Sequence, residues 1–508
     1  LALRQDQVDG LPNLGLGGLV DRVAIAIAVR ADAQVAEACF RRSDQAGIVN
    51  VVPGVGREAG QQAGAQAAGT AANTTVSNSA TVSYSVGAVA QTPITSNLRI
   101  KGIRPLISPA ILMEQLPLTS ERASLVQRSR RAASKILSRE DDETDYADRR
   151  WVRGLVWVKT DAEDDNGYGH PVENLCVLFD LHTQEVLRID DFDPIVPIPK
   201  KKGNYRPQDV GPMRTDLKTL DITQPDGPSF TVEGNLVNWQ KWRLRVGFTP
   251  REGLVLRTVG WDDGEQVRSI MYRGAVSEMI VPYGDPALIH ARKNVFDIGE
   301  LNFGALANSL TLGCDCLGEI YYFDAALVDA EGTPYTLKNA VCMHEEDFGA
   351  LWRHYNWRTG QTEVRRSRRL VISSFSTIGN YDYGFFWYFY QDGTIECEVK
   401  LTGILSTGAV EPGQKPTHGQ LLNEDGLYGP IHQHFFNFRL DLDIDGVENS
   451  IIEEHAEPDE VGPANPVGSA FHSVKTLLKS ELAAQQLIDP LRARTWKVIN
   501  PNKLNAVG

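Results

Sequence analysis

At 508 residues the chain is too long for one ordinary hydrophobic core and calls for two to four domains. Its 42% hydrophobic and 23% charged content is that of a soluble globular protein, and its longest apolar run, residues 23–29, is far too short to span a bilayer. A net charge of −14 argues against nucleic acid as a general partner and favours cationic molecules such as protonated amines, while six cysteines do not make a disulfide scaffold.

The first 100 residues contain no Lys or Trp, one Phe (Phe40) and one Tyr (Tyr84), and residues 54–91 are dominated by Gly, Ala, Ser, Thr and Val. So few large apolar side chains offset little of the entropy of ordering, so residues 1–100 are expected to be poorly ordered or non-native. No basic, apolar and cleavage-site order of a signal peptide is read at the N-terminus, and the expected location is cytoplasmic or peroxisomal rather than secreted.

Residues 116–148 read as a charged, solvated helix. Residues 151–159 and 175–181 read as strands, which makes residues 101–205 a small α/β domain ending in the Pro- and Lys-rich stretch 194–212. From residue 212 to 508 the pattern is β: runs such as 242–248, 253–259 and 385–390 alternate with Gly, Asp, Asn and Pro turns. Gln391-Asp392-Gly393-Thr394 carries an Asp-Gly hairpin signal into the strand 395–403. The fold class expected is mainly β, a large antiparallel β-sandwich catalytic domain preceded by the small α/β domain.

Two segments carry chemistry. Asn380-Tyr381-Asp382-Tyr383 is followed by His432-Gln433-His434 in an aromatic, strand-like context. Side chains at i and i+2 of a strand share a face, so the two imidazoles can converge on one ion, and imidazole suits Cu(II) among other metals. Taken alone, His-x-His reads as two polar residues on an exposed strand face, and Tyr381 as one more packing aromatic. Cys314-Asp315-Cys316 lacks the second cysteine pair a zinc cluster needs. A cupin-like iron site on the His-x-His pair would leave Asn380-Tyr381-Asp382 unused.

The combination resembles the copper-containing amine oxidases, and the resemblance runs from about Trp151 to Gly508. It includes Asp221-Ile-Thr-Gln-Pro-Asp-Gly-Pro-Ser-Phe230, Met279-Ile-Val-Pro-Tyr-Gly-Asp-Pro286, Asn308-Ser-Leu-Thr-Leu-Gly-Cys-Asp-Cys-Leu-Gly318 and Cys342-Met-His-Glu-Glu-Asp347. It implies that His432 and His434 bind copper and that Tyr381 is converted to topaquinone, which forms a Schiff base with a primary amine. Asp297 in Asn294-Val-Phe-Asp297 would be the proton acceptor, a role that a carboxylate desolvated by aromatic walls can fill. Tyr283 would hydrogen-bond the quinone, and Asn380 and Thr377 would hold its orientation. The implied products are an aldehyde, ammonia and hydrogen peroxide, with O2 as oxidant and a homodimer as the assembly.

By the same resemblance Cys316 pairs with Cys342 in a disulfide. Asp441, the Leu442 carbonyl and Asp443 are oxygen ligands suited to Ca²⁺, against the alternative of a solvated acidic hairpin. Val295 stands where an aromatic lining the substrate path is expected, which implies a wider channel. The family's third copper histidine comes from a downstream strand. After His434 this chain has only His455 and His472, both before Arg494-Thr-Trp-Lys-Val-Ile-Asn-Pro501 and neither in the family context. The alternative expectation is therefore a truncated, catalytically inactive β-sandwich of the same family.

Overall fold

The computed structural model describes residues 151–504 except 160–164, 181, 184, 288, 291–292, 330–331 and 488, together with short strands within residues 25–100. The helix expected over 116–148 and most of the N-terminal region lie outside the described residues. The chain divides into two compact units. One comprises Arg30–Pro105 and Val328–Pro334, and its described residues include the antiparallel pair Val76–Val82 and Ile94–Ile100. The other comprises Leu1–Val29, Leu106–Leu327 and Tyr335–Gly508, and it contains all that follows.

Three antiparallel strands, β1 (Trp151–Trp157), β2 (Pro171–Asp180) and β3 (Glu185–Asp191), form the small sheet expected from the two apolar runs. Cys176, Leu175 and Leu178 of β2 are buried.

The larger part is a sandwich. Its first sheet takes β4 (Phe230–Glu233), β5 (Leu236–Trp239), β6 (Trp242–Thr249), β7 (Gly253–Asp262), β8 (Val267–Pro282) and β9 (Asn294–Phe296) in sequential antiparallel order. The second comprises β10 (Tyr321–Val328), β11 (Pro334–Asn356), β12 (Gln361–Ile378), β13 (Tyr381–Tyr390) and β14 (Ile395–Gly403), with Ile25–Ala26 parallel to β14. Three short strands follow, β15 (Gly408–Ala409), β16 (Gly419–Leu421) and β17 (Leu427–Pro430), which form a sheet of their own. Next in the chain, β18 (Phe435–Leu442) returns to the far side of β8, so that Ile280 faces Phe296 on one side and Phe435 on the other.

The alternation read in the sequence is what joins the two sheets. Trp239, Trp242, Leu244, Leu256 and Met271 from the first pack against Met343, Leu370, Ile372, Trp387 and Phe389 from the second. Each such side chain taken out of water contributes about 1.5–3 kcal/mol. The Trp242 indole N–H also donates to the Tyr390 carbonyl at 2.8 Å, bonding one sheet to the other. The Asp-Gly turn forms as expected: Phe389 pairs with Ile395, and Gly393 takes φ +92°.

One glycine near this end of the sandwich is sterically required. Gly403 ends β14 opposite Tyr381 with φ +92°, and an added Cβ would stand 2.6 Å from the Asp382 nitrogen and 2.7 Å from the Asn380 oxygen. Gly403→Ala is therefore expected to destabilise the protein by about 2–4 kcal/mol through backbone strain and overlap. Urea midpoints compare the two proteins, and an unchanged midpoint would contradict the steric account.

Candidate metal and tyrosine centre

Tyr381 owes its position to a two-residue turn. Gly379 and Asn380 link β12 to β13, with Ile378 paired to Tyr381 and Gly379 at φ +60°, as a hairpin turn with Gly first requires. The Asn380 amide donates to the Ile404 carbonyl, and Ile404 N–H donates back to the Asn380 carbonyl at 2.6 Å, which ties the turn to the segment after β14. Thr377 accepts from Asn308 Nδ2 at 2.8 Å and donates to the Asp382 carboxylate.

Odd-numbered residues of β13 face the other sheet, so Tyr381, Tyr383 and Phe385 share one apolar cluster with Val276, Met279, Val281 and Ile298. Tyr381 lies where that face runs out of core. The histidine pair meets it there. Gly284 N–H donates to Ile431 O at 2.8 Å and Gln433 N–H to Pro282 O at 3.1 Å, which sets His432 against Tyr283 in an antiparallel bridge. Their rings stack with centroids 4.5 Å apart and 12° between planes. The His432 and His434 rings lie 5.0 Å apart, and each lies within 6 Å of the Tyr381 ring.

Lys293 Nζ donates to Ser406 Oγ at 2.7 Å, and the Ser406 N–H donates to the Tyr381 oxygen at 3.0 Å. Tyr381 Oη then lies 3.2 Å from His432 Nε2, while His432 Nδ1 faces the Pro430 carbonyl at 2.8 Å. A carbonyl can only accept, so Nδ1 carries the proton and Nε2 is left with its lone pair. Tyr383, the second tyrosine of the motif, places its hydroxyl 3.2 Å from His434 Nδ1.

Electrostatics favours neutral groups at this end of the sandwich. Burial lowers the pKa of His432, and it lowers that of His434 to about 4. Burial also raises the phenols of Tyr381, Tyr283 and Tyr383 above their ordinary value. Neutral imidazoles are the form that binds metal. Two such imidazoles with no thiolate beside them fit a copper ion. Among the described residues no group of three or more His, Cys, Asp or Glu side chains is gathered for a metal, so the two histidines stand as a pair.

Asp297 is not a turn residue. It begins α1 (Asp297–Leu301) and is 4% exposed. Burial first, then the charges of Glu300 and Glu278, push its carboxyl up to about 7. Its charge helps to raise the Tyr381 and Tyr383 hydroxyls. Glu278 Oε1 accepts from the Ile298 and Gly299 N–H groups, each at 3.0 Å, and so caps α1 while adding to the field on Asp297. Val295 packs against the same cluster as Tyr283 and Tyr381.

The other expected sites are placed as follows. Cys316 and Cys342 lie in one buried cluster with Leu310. Asp441 and Leu442 close β18, and Asp443 Oδ1 is buried with no hydrogen-bond partner, without a third carboxylate gathered beside the pair. His170 and His290 are buried beside Asp165 (3.4 Å) and Glu173 (3.0 Å). Sequence reasoning missed Lys293, Ser406, Glu278 and Glu173. Only Glu278 left a trace, as a carboxylate inside the apolar run 276–281.

At this end of the β-sandwich the Tyr381 hydroxyl lies beside His432, with the His434 ring next to it, and the raised carboxyl of Asp297 acts on the same tyrosine. Residues 231–508 match the copper amine oxidase enzyme domain and residues 141–208 the copper amine oxidase N3 domain. The chain belongs to the copper amine oxidase family. It is 52% identical over 363 residues to a primary amine oxidase of Arthrobacter sp. (strain P1), covering 72% of this chain and 55% of that one. It is 46% identical over 377 residues to the peroxisomal copper-containing diamine oxidase 1 of Nicotiana tabacum, covering 72% of this chain and 48% of that one. The chain thus spans about half the length of these relatives. The solved copper-containing benzylamine oxidase from Hansenula polymorpha superposes with a TM-score of 0.68 at 30% identity, over 82% of this chain and 67% of that one. Among the described residues no helix is long and apolar enough to cross a membrane.

Proposed function

We propose that this protein oxidises a primary amine to an aldehyde, with O2 as acceptor and ammonia and hydrogen peroxide as the other products. The observation that carries the reading is the Tyr381 hydroxyl 3.2 Å from His432 Nε2, with His434 beside it. Copper held by His432 and His434 would supply the oxidation of the Tyr381 ring to topaquinone, and the quinone would supply the electrophile and electron sink for the amine. The chain's own residues do the rest. Asp297, poised near 7, takes the α-carbon proton of the amine, since a base works best with its pKa near the working pH. Tyr283 and the Ser406 N–H hold the oxygen of residue 381. Asn380 and Thr377 hold the turn that aims the ring. The net charge of −14 favours the approach of the cationic substrate.

We also infer a Cys316–Cys342 disulfide, a homodimer, a Ca²⁺ ion near Asp441, Leu442 and Asp443, and a cytoplasmic or peroxisomal location. The buried, unpartnered Asp443 oxygen supports the ion.

The test is a peptide mass analysis of aerated, copper-loaded protein before and after phenylhydrazine. The peptide holding Tyr381 is expected to gain two oxygens and lose two hydrogens, then to take up one hydrazine. An unmodified Tyr381 in folded, copper-bound protein would sink the reading.

A further inference from the structure

Ser406 meets Lys293 and Tyr381 through different atoms. Its Oγ lies 2.7 Å from Lys293 Nζ, and its backbone N–H donates to the Tyr381 oxygen at 3.0 Å. On the other side of that oxygen, Pro430 O puts the His432 proton on Nδ1 and leaves Nε2 to accept from Tyr381.

We propose that Lys293 is a positioning residue for Tyr381: by holding the Ser406 hydroxyl and covering the Tyr283 ring, it keeps the Ser406 N–H on the Tyr381 oxygen while the proton of that oxygen points at His432 Nε2. The inference rests on the proposed function only in making the oxygen of residue 381 the one that matters.

Three further contacts set Lys293 in this role. Its Nζ stands 3.9 Å above the Tyr283 ring centroid, so one side chain grips both Ser406 and Tyr283. The loop that carries Ser406 is pinned at its next positions as well: Thr407 Oγ1 donates to the Tyr168 carbonyl, and Ala409 N–H donates to Glu173 Oε2 at 2.8 Å. Glu173 lies on β2 of the small N-terminal sheet, is bonded to His290 at 3.0 Å, and is the carboxylate whose charge attracts Lys293. The small sheet thereby reaches the tyrosine site, through Glu173 and the 406–409 loop.

The experiment compares the parent chain, Lys293→Met and Lys293→Arg by amide hydrogen exchange without copper. Met keeps the length and loses the donors, whereas Arg restores a donor-only end. The Ser406 amide is expected to exchange about tenfold faster in Lys293→Met, a change of the size of one lost charged hydrogen bond, and to return to within about threefold of the parent in Lys293→Arg. Ser406→Ala keeps the N–H but removes the same hydroxyl contact. It should match Lys293→Met, and the double variant should be no faster than either single one.

Unchanged Ser406 exchange in both single variants would overturn the proposal. So would equal acceleration in the Met and Arg variants, or in β6 at the far end of the sandwich, because either result would mean a packing role. A second readout is the fraction of Tyr381 converted to quinone after copper and air, expected to fall several-fold with Met and to recover with Arg. If the parent chain forms no quinone, the proposed function fails, and the exchange comparison still decides the role of Lys293.

Discussion

Tyr381→Phe is expected to abolish amine oxidation, by at least about four orders of magnitude, since no other group at the site can become the electrophile. The variant removes one oxygen, and that oxygen is where the polar groups meet. Ser406 N–H at 3.0 Å loses its acceptor, and His432 Nε2 at 3.2 Å loses its donor. Leaving these groups unpaired costs about 1–3 kcal/mol of stability, while copper binding at His432 and His434 persists. Peroxide release, copper content and urea midpoint give the three readings. Turnover within tenfold of the parent protein would remove Tyr381 from the chemistry.

Asp297→Asn is expected to lower the rate about 10²–10⁴-fold, the contribution of one positioned base. The same change should stabilise the protein, but only at higher pH. Burial and the charges of Glu300 and Glu278 raise the Asp297 carboxyl from 3.8 to about 7. Between those values the folded protein binds a proton that the unfolded chain has released. Stability therefore falls as pH rises through that window, and above it the ionised carboxylate is a burial penalty. Asn carries no such penalty. At pH 8 the variant should exceed the parent by about 2–4 kcal/mol, and near pH 4 the two should agree. Urea midpoints at the two pH values check the sign, and the parent's kcat/KM should rise as pH passes about 7. A variant equally stable relative to the parent at both pH values would mean that Asp297 ionises normally.

Much of the fold was legible because its signals are local. Strand-length runs between turn residues placed β6 at 242–248 and β14 at 395–403, and Asp392-Gly393 placed the hairpin before β14, since a strand's residue types and a turn's φ depend on neighbours in the chain. The strand 175–181 was read short of its observed start at Pro171, because the residues there show no alternation.

The site divides along the same line. His432 and His434 were readable as a converging pair because i and i+2 share a face, and Asn380-Tyr381-Asp382-Tyr383 was readable by its resemblance to family segments. The sequence by itself thus determined the β class, the family and the residue types that bear the chemistry. Only the tertiary structure decided their protonation and their partners. Asp297 near 7 depends on Glu278 and Glu300 and on burial among strands distant in the chain, and no local pattern encodes desolvation. Lys293 reads as a surface cation in Arg292-Lys293-Asn294, and Ser406 as a loop residue. Packing of the small sheet and the 404–409 segment around them turns two ordinary polar residues into a brace for the Tyr381 oxygen, because these contacts join segments far apart in the chain.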